Sequence, residues 1–195
     1  MQKLIFATNN QHKVEEIRAL LGKRFQIVTL AEAGIHIDIP EPYDTLEQNA
    51  REKAMTIYRL TGISCFGEDT GLETMALNGD PGVKSARYAG DERDFAANTQ
   101  KLLNMLEGKT NRFARFRTVI SLCLNGTEHL FEGACEGQIA DIPRGDKGFG
   151  YDPVFIPLNS NRTFAEMDLA EKNQYSHRGK AMEQLVRFLL NQQNY

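Results

Sequence analysis

Between residues 3 and 66, short apolar runs alternate with longer amphipathic segments, and this alternation constrains the fold more than any other feature. Residues 3–7 read as a buried strand. From Lys13 to Leu21, Val14, Ile17, Leu20 and Leu21 recur on one helical face, with Gly22 as a stop signal. Residues 25–30 form a second apolar run. Thr45-x-x-Gln48 has the form of a capping box, and Leu46, Ala50, Ala54, Ile57 and Tyr58 continue from it as a stripe. Residues 63–66 give a third strand, ending at Gly67. Strand, helix, strand, helix, strand is an α/β pattern.

The second half changes character. A helical segment at 94–108 precedes a long apolar strand at 114–124, and Asn125-Gly126 then signals a hairpin with a return strand over 127–138. Residues 152–156 predict another strand and 163–167 a capping box. Ser176 is read as the cap of a C-terminal helix with Ala181, Leu185, Phe188 and Leu189 on its apolar face. The expected architecture is one α/β domain over 1–195, a mixed central sheet with flanking helices, bent into two lobes around a cleft.

Charge and cysteine content narrow the function classes. The net charge is −3 and the pI about 5.9. There is no basic footprint of the kind that nucleic-acid binding requires. The apolar stretch at 4–7 is shorter than a signal-peptide core, and no run is long enough to cross a membrane. Cys65, Cys123 and Cys135 are odd in number and widely spaced, as in a cytoplasmic protein with reduced thiols.

Four loops at element boundaries carry chemistry-bearing residues. "TNNQHK", 8–13, leads into the first helix. Unpaired N–H groups and the positive dipole end there suit phosphate oxygens, with Thr8 and Asn10 as further donors and Lys13 one turn in. A helix cap plus a solvated lysine explains the same residues. "FGEDTGL", 66–72, places Glu68 and Asp69 at an expected turn before Thr70, and Glu41 lies between two prolines. Carboxylates without histidine or cysteine partners suit a hard, oxygen-ligated cation such as Mg²⁺; a polar acidic turn is the plainer reading.

In "KGFGYDP", 147–153, glycines flank Phe149, freeing the backbone and uncovering the ring as a stacking platform; alternatively the ring plugs the core. "SHRGKA", 176–181, puts His177 and Arg178 in the first turn of a helix, where cations are disfavoured. That placement points to a ligand with acceptor oxygens, or to exposed side chains whose penalty is screened.

Together the four loops resemble the inosine triphosphate pyrophosphatase-like family, the XTP/dITP diphosphatases, along essentially the whole chain. "ATNNQHK" matches a T/S-x-N-x-x-K signature and "EPYDTLEQNAREKA" an E-x-x-x-T…N-A…K-A segment. "GEDTGL" matches D-D-S/T-G-L, and "PGVKSARYAG", "GFGYDP" and "KNQYSHRGKA" complete the ordered set. Glu68 stands where the family often has Asp, and Asn9 where it often has Gly.

The resemblance implies hydrolysis of deaminated purine nucleoside triphosphates to the monophosphate and pyrophosphate. It implies Mg²⁺ held by Glu41 and Asp69, with Glu68 as a further candidate ligand, and Asp69 as general base. It places Thr8, Asn9, Asn10, Lys13, Lys53 and Thr70 on the nucleotide. It places Phe149, Gly150, Tyr151 and Asp152 at the base, with Lys172, His177 and Arg178 lining the recognition end. It also implies a homodimer. The alternative is a nucleotide-binding sensor without catalysis.

Overall fold

The computed structural model describes residues 3–21 and 25–192. Among these, seven strands form one sheet in the order β2-β1-β3-β5-β6-β7, with β4 paired to β3. The elements run β1 (Lys3–Phe6), α1 (Gln11–Leu21), β2 (Gln26–Thr29), α2 (Leu46–Thr61), β3 (Cys65–Thr74), β4 (Pro81–Gly82) and α3 (Phe95–Met105). β5 (Phe113–Leu124), β6 (Thr127–Ile139), β7 (Phe155–Pro157), α4 (Leu169–Tyr175) and α5 (His177–Gln192) complete the chain.

The α/β expectation holds, and so does the mixed sheet. β1 pairs in parallel with both β2 and β3, with Ile5 opposite Val28 and Cys65. A strand flanked on both edges and covered on both faces has to be apolar throughout, and Leu4, Ile5 and Phe6 are all buried. β3–β4 and β6–β7 are antiparallel. Asn125 (φ 50°) and Gly126 (φ 83°) both take the left-handed conformation that a tight two-residue hairpin turn demands.

Three features differ most from the sequence expectation. β3 does not end at Gly67 but continues to Thr74, so Glu68 and Asp69 lie inside a strand rather than at a turn. β7 starts at Phe155; residues 151–154 are a turn, because Asp152 uses its carboxylate to accept from the Phe149 N–H. α4 has no counterpart in the expected elements: Asp168 caps it by accepting from Glu171 N–H, and the Ser176 N–H donates to Lys172 O, closing it before α5 begins. The Gly22 stop signal lies outside the described residues.

The chain divides into two compact units. One gathers the chain up to Asp69, residues 118–133 and the chain from Arg178 onward. Its cores join Leu4, Phe6, Ile17, Phe66, Ile120 and Leu185 in one cluster and Ile5, Leu30, Ile57, Cys65 and Cys123 in another. The other unit holds residues 70–117 and 134–177, around Leu72, Leu102, Phe116, Phe155 and Phe164.

Candidate functional site

In the first unit, β1 delivers the chain to the start of α1. The Thr8 hydroxyl accepts from Asn10 N–H at 3.2 Å, and Asn10 Oδ1 accepts from Lys13 N–H at 3.3 Å. The helix start is thus capped, as the plainer reading required. Asn9 is exposed and donates to Ile37 O. Lys13 reaches inward, its Nζ 3.2 Å from Glu68 Oε1.

Helix α2 contributes a polar pair to an otherwise apolar buried face. Thr45 caps it through Gln48 N–H, and Gly62 ends it at φ 65°. Along its buried stripe Asn49 and Lys53 stand among Leu46, Ala50, Ala54 and Ile57. Lys53 Nζ lies 2.8 Å from Asp69 Oδ1, donates to Glu68 O at 2.8 Å, and pairs with Glu41. Asn49 donates to Asp69 Oδ2 at 3.3 Å and closes two hydrogen bonds with the Tyr43 backbone. A close approach of α2 to β3 sets these contacts. A Cβ on Gly67 would come within 2.4 Å of Ala50 O and 2.8 Å of Ala54 N, so only glycine lets the helix lie there.

Burial pushes the Asp69 carboxyl above the usual carboxylate range, against the pull of Lys53 and Lys13. For Lys53 burial acts to lower the pKa, but the Asp69 and Glu41 carboxylates more than offset it and hold it above the ordinary lysine value. Among the described residues no group of three or more His, Cys, Asp or Glu is arranged around a metal position. The Glu41 and Asp69 carboxylates do converge on one point, the Lys53 ammonium. An all-oxygen pair of this kind fits Mg²⁺, which is commonly held by one or two carboxylates and completed by substrate phosphates and water.

Glu68 and Arg178 pair with each other within the first unit. Adjacent residues in a strand face opposite ways, and Glu68 and Asp69 accordingly serve different partners. Glu68 is sealed from solvent and accepts from Arg178 Nε at 2.9 Å and Nη2 at 3.0 Å. Arg178 also donates through Nη1 to Glu16 of α1. The Arg178 guanidinium is buried against the carboxylates of Glu68 and Glu16. Burial acts to lower the Arg178 pKa, while the Glu68 and Glu16 carboxylates raise it further and keep the charge on.

In the second unit, Asp152 organises the "GFGYDP" loop. Its Oδ2 accepts from Phe149 N–H at 2.9 Å and from Lys172 Nζ at 2.6 Å. A Cβ on Gly148 (φ 72°) would meet that same oxygen at 2.1 Å. Lys172 lies 5.3 Å from the Phe149 ring centre and 5.4 Å from that of Phe164, within cation–π range. Phe149 is half-buried, and Thr99 donates to Gly150 O. Tyr151 is buried and anchors the loop by donating to Ser85 O at 2.9 Å; burial raises its phenol above the usual range. His177 stacks on Phe116, with centroids 4.7 Å apart. Thr70 follows Asp69 on β3, half-buried.

Two residues that sequence reasoning missed, Glu16 and Asn49, share a detectable signature. Each is a polar side chain at a position that the helical period assigns to the buried face.

A model of the Ham1 family matches residues 4–188. The dITP/XTP pyrophosphatase of Porphyromonas gingivalis is 52% identical over 191 residues, 97% of this chain and 98% of that protein. The dITP/XTP pyrophosphatase of Christiangramia forsetii is 48% identical over 187 residues, 96% of this chain and 98% of that protein. The Staphylococcus aureus Ham1 protein superimposes with a TM-score of 0.89 at 35% identity, over 98% of this chain and 100% of the other. The chain belongs to the Ham1 family.

Proposed function

We propose that this protein hydrolyses dITP, ITP and XTP to the nucleoside monophosphate and pyrophosphate, with residues 1–195 working as one catalytic domain. The supporting comparisons are the near full-length relatives named dITP/XTP pyrophosphatase. The structural observation that carries the reading is the buried Asp69, held by Lys53 and Asn49 on one helix face.

The triphosphate is assigned to Thr8, Asn9, Asn10, Lys13, Lys53 and Thr70. Lys13 and Lys53 are compact cations that stabilise charge spreading over the phosphoryl oxygens and the pyrophosphate leaving group. Asp69 accepts the proton of a water attacking the α-phosphorus in line. Glu41 and Asp69 would hold Mg²⁺, which supplies Lewis-acid charge to the phosphate oxygens when bound. Glu68 is assigned to the buried support of Lys13 and Arg178 instead.

The base is assigned to the Phe149 face, on a loop fixed by Gly150, Tyr151 and Asp152. Lys172 and His177 are the candidate readers of its polar edge. A 6-oxo group accepts a hydrogen bond that the adenine 6-amino group cannot, so a lysine donor there favours deaminated purines. A cytoplasmic homodimer belongs to the same reading. Three buried free thiols suit a reducing compartment, and light scattering after gel filtration measures the oligomeric state.

Incubation with dITP, ITP, XTP, ATP and GTP in the presence of Mg²⁺, with pyrophosphate and phosphate quantified separately, tests the assignment. Pyrophosphate release confined to the deaminated purines is the expected result. Release of single phosphates, or binding without turnover, excludes it.

A further inference from the structure

Glu16 is a buried acid that the proposed chemistry does not use. It lies on α1 three residues after Lys13, so the two share one helix face. Its carboxylate pairs with Arg178 Nη1. Arg178 grips both oxygens of Glu68, and Lys13 Nζ lies 3.2 Å from one of them, Oε1. Two carboxylates and two cations thus form a charge-balanced cluster whose members other than Lys13 are almost wholly removed from water.

Glu68 Oε1 is shared. Arg178 Nη2 and Lys13 Nζ both approach it, at 3.0 and 3.2 Å. How firmly it holds Lys13 depends on how much of the Arg178 charge is balanced elsewhere, and Glu16 supplies that balance. With Glu16 uncharged, the four-residue cluster carries two cations and one carboxylate. Glu68 is then drawn toward Arg178, and Lys13 faces a partly uncompensated guanidinium at close range, where low dielectric makes the repulsion costly.

We propose that Glu16 is a positioning residue for Lys13, acting through Arg178 and Glu68. The proposal rests on Lys13 being a triphosphate contact, as assigned above. Lys13 stays aimed at the phosphate nest because Glu16 fixes Arg178, which leaves Glu68 charge enough to tether the lysine until substrate phosphate takes it over.

A double-mutant cycle on kcat/KM for dITP tests this. Glu16→Gln preserves shape and removes the charge. It is expected to lower kcat/KM about tenfold, the scale of a slightly misplaced catalytic group. In a Lys13→Ala background the same change should cost less than about twofold, because residues acting through one another are non-additive. Glu16→Asp, which keeps the charge at shorter reach, should recover part of the loss. Melting temperature will fall for any lesion in a buried ion cluster, so the cycle and the partial rescue are the readouts that decide. If Glu16→Gln does not fold, the cycle is run with Glu16→Asp.

A full Glu16 loss on top of an impaired Lys13→Ala enzyme overturns the positioning role alone. Wild-type kinetics for Lys13→Ala overturns the phosphate assignment of Lys13, and the positioning role with it.

Discussion

Lys172 and Asp152 form a buried ion pair, Nζ to Oδ2 at 2.6 Å, and the same carboxylate oxygen receives the Phe149 N–H. One acid therefore fixes both the backbone of the loop that carries Phe149 and the cation beside its ring.

Asp152→Ala should damage stability and base binding together. It strands a buried ammonium and an N–H, and removing one partner of a buried pair costs ~3–5 kcal/mol. Calorimetry should show the lowered melting temperature, and KM for dITP should rise in parallel. A variant with unchanged KM would separate the loop from the base.

Phe149→Ala should weaken all purine nucleotides by a similar factor. A π-face does not distinguish hypoxanthine from adenine, and stacking of a base is worth ~1–3 kcal/mol. Affinities for dITP and dATP, measured on a catalytically dead background, give the two factors to compare.

Asp69→Asn should lose about 10²-fold or more in kcat, because the amide cannot accept a proton. Lys53 can keep its acceptor in the amide oxygen while Asn49 loses Oδ2, so one hydrogen bond is lost and far-UV circular dichroism should still show the native fold. Turnover within a few-fold of wild type would place the base elsewhere.

Arg178→Ala should lower kcat/KM for ITP and ATP by the same factor and leave their ratio unchanged, since the guanidinium is committed to Glu68 and Glu16. A narrowed ratio would instead make Arg178 a reader of the base. Its buried pairs also predict a lower unfolding temperature than any exposed arginine substitution gives.

Burial pushes the Cys65 thiol up to about 12 from an ordinary 9.0. The unfolded chain thus releases this proton first as pH rises, so the stabilisation is complete below about pH 9. It declines between about 9 and 12, by at most ~1.4 kcal/mol per pH unit. Urea denaturation at pH 8 and pH 10 should show the decline against a Cys65→Ala control, which should lack this component. At neutral pH the native protein should resist iodoacetamide at this residue.

Periodicity made the first half of the fold legible, because strands such as β1 and helices such as α2 bury continuous or striped apolar surface that one sequence displays. It failed at β3, where Gly67 reads as a strand end. The glycine serves a close helix approach instead, and such an approach is a long-range fact. α4 escaped notice because seven residues are too few for a stripe. The loops assigned above to phosphate and base stand out by their residue types, but the partners of Arg178 do not. Glu16 and Glu68 lie 162 and 110 positions away in sequence, and nothing local announces the pairing.

The fit of α2 over Gly67 bears on how this protein tolerates genetic change. Gly67 has no side chain to offer a nucleotide, yet even one added methyl would lift the helix that carries Asn49 and Lys53 away from the strand that carries Asp69. In a library of random variants selected for lost turnover, position 67 should recur beside the acids and lysines. A chemist reading that list without coordinates would take a glycine for part of the reaction.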